Sequence, residues 1–300
     1  MIEVLNEFCP KARNPRSILV AAIALGFGIY SDKIIQLPEE MVHWDDLGFK
    51  VLKGNYEKND HMEIIRPEKN SPLIKNKLLD ENNTVIKCKV FWKEGLDGES
   101  KFVADSIIND LHEGLLPEDI MVISLDDRYA RDYFNAISAI LIEHDINTYD
   151  LLKQPSNNTD FMIEKHITLT TVYRAKGNEA GCVYIVGVGS IFRNKHLIRN
   201  RNMLFTAITR ANAWVTITGI GESALEFENE MNKIIDNNYQ LNFVMPDVHT
   251  LRTIQRKLAS SHAIINDVIR YIDKIADEND IDKNKMIQEL LKKVEKKVDL

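Results

Sequence analysis

The sequence predicts an α/β fold: a parallel sheet buried on both faces, helices against it, and a helical extension after it. Three observations predict it. Short β-branched runs recur at residues 167–172 (ITLTTV), 182–186 (CVYIV) and 214–218 (WVTIT), and continuous apolar strands suit a sheet covered on both sides. From Thr84 onward, strand-like and helix-like runs alternate with short links, which calls for right-handed crossovers between parallel strands. The apolar fraction is 44% and the charged fraction 28%, enough for a sizeable core in one large domain or two small ones.

The elements follow in order. Asn14 as N-cap and Pro15 at the first helical position open a helix. Its residues Ile18, Leu19, Ala22, Ile23 and Leu25 share an apolar face, and Gly26 and Gly28 stop it. Residues 31–83 hold strand-like runs at 33–36, 49–52 and 62–65, broken by Pro38, Pro67 and Pro72. A strand is predicted over 85–92. A helix over 99–112 has Val103, Ile107 and Leu111 on one face and ends at Gly114. A buried strand over 120–124 leads to Asp126 or Asp127 as the cap of the next helix. That helix, 129–144, aligns Ala130, Tyr133, Ile137, Ile140 and Leu141. A short strand or turn follows at 145–149, then a polar loop at 155–160. The strands at 167–172 and 182–186 are separated by a polar turn, and a basic loop and a short helix over 202–209 precede the last strand. Buried parallel sheets carry function at the carboxyl ends of their strands, and the polar clusters at 174–179 and 209–210 are expected at such ends or on adjoining helices.

Beyond Phe243, Leu251, Ile254, Leu258, Ile265, Val268, Ile272 and Ile275 repeat at helical spacing, as do Ile287, Leu290, Leu291, Val294 and Val298. Two helices are predicted. They pack on the α/β domain, pair as a hairpin, or form a coiled-coil arm for a partner or for self-association; Ser261 and His262 interrupt the seam and weigh against the arm.

Net charge is −7 over 300 residues, so the chain is not basic throughout. The charge is unevenly placed. Between Glu179 and Glu222 there is no acidic residue, while Arg193, Lys195, Arg199, Arg201 and Arg210 fall there, a local field suited to phosphate. No apolar run reaches the ~20 residues of a membrane span, and the N-terminus lacks the apolar region of a signal peptide. Cys9, Cys88 and Cys182 have neither zinc spacing nor even number, so free thiols and a cytoplasmic location are expected. No metal site is expected. Gly26, Gly28, Gly48 and Gly54 lack the Lys-Ser/Thr partner of a phosphate-binding loop. His43, His61 and His112 have no evident acid–base partners.

The stretch TTVYRAKGNEAGCVYIVG at 170–187 resembles motif V of superfamily 1 helicases of the UvrD/Rep type, and RNMLFTAITRANAWVTITG at 201–219 resembles motif VI. Residues 12–30 resemble the motif IV region in part, with Ala12 where an aromatic usually precedes the arginine. The resemblance implies the second of two RecA-like motor domains, spanning 1–245. Residues 31–83 would be a short elaboration in place of a large insertion, and 246–300 the helical extension. It implies that Arg210, and with it Arg13, brings positive charge to the γ-phosphate. Gly177, Glu179 and Lys176 would approach the nucleotide. Thr170, Thr171, Tyr173 and Arg174 would meet nucleic acid, with Tyr173 where relatives commonly carry His. Motifs I to III are absent, so ATP and Mg²⁺ would be bound only with an N-terminal RecA-like domain, and the chain alone would be inactive as an ATPase. The implied partners are that domain and single-stranded DNA or RNA. The alternative is a non-catalytic helicase-derived platform that binds a protein through its C-terminal helices.

Overall fold

The computed structural model describes residues 14–71, 85–155, 160–247 and 251–254. Arg13 and the extension beyond Ile254 lie outside them. The chain divides into two compact units, Met1–Ile254 and Gln255–Leu300, and the first is described here.

Its centre is a six-stranded parallel sheet, in the RecA-like arrangement of helices on both faces. The strands are β4 (Ile86–Phe91), β5 (Ile120–Ser124), β6 (Asn147–Asp150), β7 (His166–Thr171), β8 (Ala180–Val186) and β9 (Ala211–Ile220). Their order is β4-β9-β8-β5-β7-β6, and every pairing is parallel. All five residues of β5 are buried, as the apolar runs require of central strands.

Helices α3 (Gly95–His112) and α4 (Ala130–Ile142) cover one face. The other carries α1 (Arg16–Phe27), α5 (Val188–Phe192), α6 (Ile198–Ile208) and α7 (Glu222–Asp236). Among the described residues no helix is long and apolar enough to cross a membrane.

Residues 31–71 form a small appendage. It contains β1 (Gln36–Pro38), α2 (Val42–Asp46), β2 (Lys50–Lys53) and β3 (His61–Ile65). The last two join β10 (Leu241–Val244) in an antiparallel sheet, and β1 pairs with β11 (Arg252–Ile254). Buried Arg66 ties the appendage together. It donates to the carbonyls of Leu47 at 2.7 Å and Asn70 at 2.6 Å, and lies over the Phe49 ring.

Four local expectations are corrected. Asn14 is not a helix cap. Pro15 holds the N-cap position without a side-chain bond, and the buried Asn14 amide serves elsewhere. Helix α1 does not present one face: every residue from Ile18 to Phe27 is buried, because α6, α7 and β9 surround it. Gly26 is not a stop signal. It lies inside α1, where an added Cβ would come within 3.1 Å of Phe205 Cβ, so it permits close approach to α6; Gly28, at φ 68°, is the cap. Asp126 does not cap α4. Its carboxylate accepts from Arg128 N at 3.1 Å, shaping the turn before the helix. The basic loop after β8 also proves partly helical, since Val188, Ile191 and Phe192 are buried as α5.

Candidate functional site: a two-ended frame between the sheet edges

The register of the sheet decides where the polar clusters fall. Ser124 at the end of β5 pairs with both Thr171 and Val186, so β7 and β8 finish at the same edge. Ala180 pairs with Ala211, so β8 and β9 begin together at the opposite edge. Strand β5 lies between β7 and β8. Residues 172–179 must therefore run back across the sheet to reach the start of β8. Buried Val172 and Ala175 face the core on the side of α1 and α6. Helix α6 makes the same return journey from the end of β8 to the start of β9.

The clusters divide between a carboxyl strand end and the amino ends of two strands, where Arg210 follows helix α6. Tyr173 and Arg174 sit just past the carboxyl end of β7. Gly177, Asn178, Glu179 and Arg210 sit at the amino ends of β8 and β9. A parallel sheet brings both groups to one domain only by placing them at opposite edges of these two connectors.

At the amino edge, Arg210 is 3% exposed. Its Nε donates to Thr206 O at 3.1 Å, Nη1 to Asn178 O at 3.3 Å and Nη2 to Thr209 Oγ1 at 3.4 Å. The Arg210 carbonyl accepts from Ala180 N. Asn14, 2% exposed, donates to Thr209 O at 2.9 Å and Ala211 O at 2.8 Å. This amide holds the peptide on each side of Arg210. Sequence reading missed that role, because an Asn before Pro looks like a cap. Gly177 is exposed and has φ 87°, in the left-handed region where glycine is favoured. Lys176 is exposed and Glu179 half-buried.

At the carboxyl edge, Tyr173 is exposed and Arg174 half-buried, with Nη1 donating to Leu151 O. Thr171 is 8% exposed and Thr170 fully buried, its hydroxyl bonded to Thr171 O. Of these four residues, Tyr173 and Arg174 present side chains outward. Arg199, at the start of α6, donates to the Tyr173 hydroxyl through Nε at 2.9 Å and Nη2 at 2.6 Å. Arg199 was seen in the sequence only as part of a basic stretch.

The basic stretch is therefore not one surface. Arg201 is fully buried and bonds both oxygens of Glu230, at 2.7 and 2.9 Å. Lys195 pairs with Asp32 and Glu226. Arg193 lines a cleft of about 190 Å³ at the carboxyl edge with Asp126, Tyr133 and Ser190. Gly187, at the end of the 170–187 stretch, also lines that cleft, whereas Tyr173, Arg174, Gly177, Glu179 and Arg210 do not.

The amino edge brings together a buried guanidinium and a left-handed glycine turn. Among the described residues no group of three His, Cys, Asp or Glu could hold a metal ion.

The fold and the frame define the class: a RecA-like α/β domain whose two edges are joined by residues 172–179 and helix α6. Residues 166–218, which contain the whole frame, match the UvrD-like helicase C-terminal domain. Among solved structures, the C-terminal domain of a possible DNA helicase from Lactobacillus plantarum WCFS1 is 16% identical, with TM-score 0.35 over 46% of this chain and 76% of that one. No curated protein matches the chain.

Proposed function

We propose that this chain is the C-terminal half of an ATP-driven superfamily 1 helicase or translocase. The observation that carries the reading is the two-ended frame within the matched segment. Residues 172–179 and α6 each run from an edge bearing Tyr173 and Arg174 or Arg199 to an edge bearing Gly177–Glu179 or Arg210. A motor must make a nucleotide site and a nucleic-acid site sense each other, and two connectors shared by both sites supply a physical route.

In this reading Arg210 is the charge donor. An arginine is always protonated and has five N–H donors in a planar fork. Bonds to Thr206, Asn178 and Thr209 fix the guanidinium in place. Asn14 sets the position of that fork through the flanking carbonyls. ATP bound against the other half supplies the transferable phosphoryl group. Arg13 would add a second charge. Tyr173 and Arg174 would grip single-stranded DNA or RNA.

Turnover of ATP tests the proposal. The purified chain, with or without single-stranded DNA, is expected to show none. Mixed with or fused to an N-terminal RecA-like domain carrying a phosphate-binding loop, it is expected to gain DNA-stimulated turnover. Arg210→Ala should then lower that turnover by ~10³-fold or more. Robust turnover by the chain alone, untouched by Arg210→Ala, would sink the proposal.

A further inference from the structure

The carboxyl end of the frame holds a pair whose chemistry points to one kind of ligand. Both Tyr173 and Arg199 are exposed. Arg199 directs two N–H groups to the Tyr173 oxygen, which occupies both acceptor lone pairs of that oxygen. The phenol hydrogen has only Met203 Sδ, at 3.5 Å, and a thioether is a weak acceptor. Three of the five N–H groups of Arg199 remain. Every unspent polar group on the pair is thus a donor. Among the described residues Arg199 has no carboxylate partner, whereas its neighbours Lys195 and Arg201 are both paired. The guanidinium carbon lies 5.7 Å from the Tyr173 ring centroid, beyond the hydroxyl end of the ring. A cluster of donors with net positive charge suits an anionic oxygen.

We propose that Arg199 and Tyr173 form a preassembled receptor for one backbone phosphate of single-stranded nucleic acid. Arg199 supplies the charge and holds the tyrosine hydroxyl so that its proton faces the phosphate oxygen. The inference rests on the proposed motor function and deepens it. It makes Arg199 a nucleic-acid contact and gives Tyr173 the part of a hydrogen-bond donor. The pair also mirrors the other end of the frame. Arg210 joins α6 to residues 172–179 at Asn178, and Arg199 joins the same two segments at Tyr173.

The test is fluorescence anisotropy of a labelled thymidine 20-mer titrated with the full chain over a salt series. Arg199→Ala should weaken binding about three- to tenfold at low salt and flatten the dependence of log K on log salt by ~0.7–1. Arg199→Lys should restore the salt slope and only part of the affinity, since it keeps the charge without the fork. Tyr173→Phe should weaken binding at least about threefold, because the ring stays and the hydroxyl goes. Unfolding midpoints of the three variants report whether the fold is kept. Binding by the parent chain that Arg199→Ala and Arg199→Lys both leave unchanged, in affinity and slope, overturns the receptor and spares the motor. Normal binding by Tyr173→Phe with loss in Tyr173→Ala means base stacking and overturns it too. No binding by the parent chain at any salt overturns the nucleic-acid reading, and this inference with it.

Discussion

At the scale of single residues, Glu99 is the most constrained acid in the domain. It is fully buried under the carboxyl-edge cleft. It accepts from Tyr133 Oη at 2.6 Å, Thr218 Oγ1 at 2.6 Å and Gly187 N at 2.9 Å. Burial pushes its carboxyl above the usual range, and the three donors only partly offset that. A carboxyl with a raised folded-state pKa contributes stability below its unfolded value, ~4.3, and loses it as pH rises through the folded value. Glu99→Gln keeps the acceptor for Gly187 and Thr218 and removes the titration. The difference in unfolding midpoint, Gln minus Glu, should therefore grow as pH rises from about 4 to about 7. A flat or falling difference in a calorimetric series would mean that the donors dominate over burial.

At the scale of elements, α1, α6 and α7 are held together by Arg201. It sits on α6 and bonds Glu230 on α7, the Leu25 carbonyl on α1 at 2.9 Å and the Lys195 carbonyl at 2.6 Å. The Phe192 ring lies 4.9 Å from its guanidinium carbon. Arg201→Met strands a buried carboxylate and should cost ~3–5 kcal/mol. Adding Glu230→Leu should recover part of that loss, because the orphaned charge is gone; urea unfolding of the single and double variants measures both. This is also where sequence reading reached its limit. The apolar runs foretold β4, β5, β7, β8 and β9 to within a few residues, since burial and β-branching leave a local trace. Nothing local separates Arg201, locked in the core, from Arg199, which meets solvent two residues away. Helical phase against two neighbouring helices makes that distinction, and those neighbours come from residues 16–27 and 222–236.

At the scale of the whole domain, the strand order explains why the motif residues were legible but their placement was not. Motif V and motif VI are contiguous in sequence, yet each spans the sheet, so its two halves serve opposite edges. The parallel direction of the strands forces that crossing, and β5, which lies between β7 and β8, comes from about 50 residues upstream. Arg199 and Arg210 are at the two ends of one helix, eleven residues apart in sequence, or roughly 16 Å at 1.5 Å per helical residue. Sites that far apart with no shared partner ordinarily contribute independently. Arg210→Ala should therefore leave the affinity of this chain for single-stranded DNA within about twofold of the parent, although the same change is expected to abolish turnover once the other half is present. A tenfold or larger loss in anisotropy titrations would show that the Arg210–Asn178 bond already governs Tyr173 through residues 172–179. The frame would then transmit strain within this half alone, without a nucleotide or a second domain to close against it.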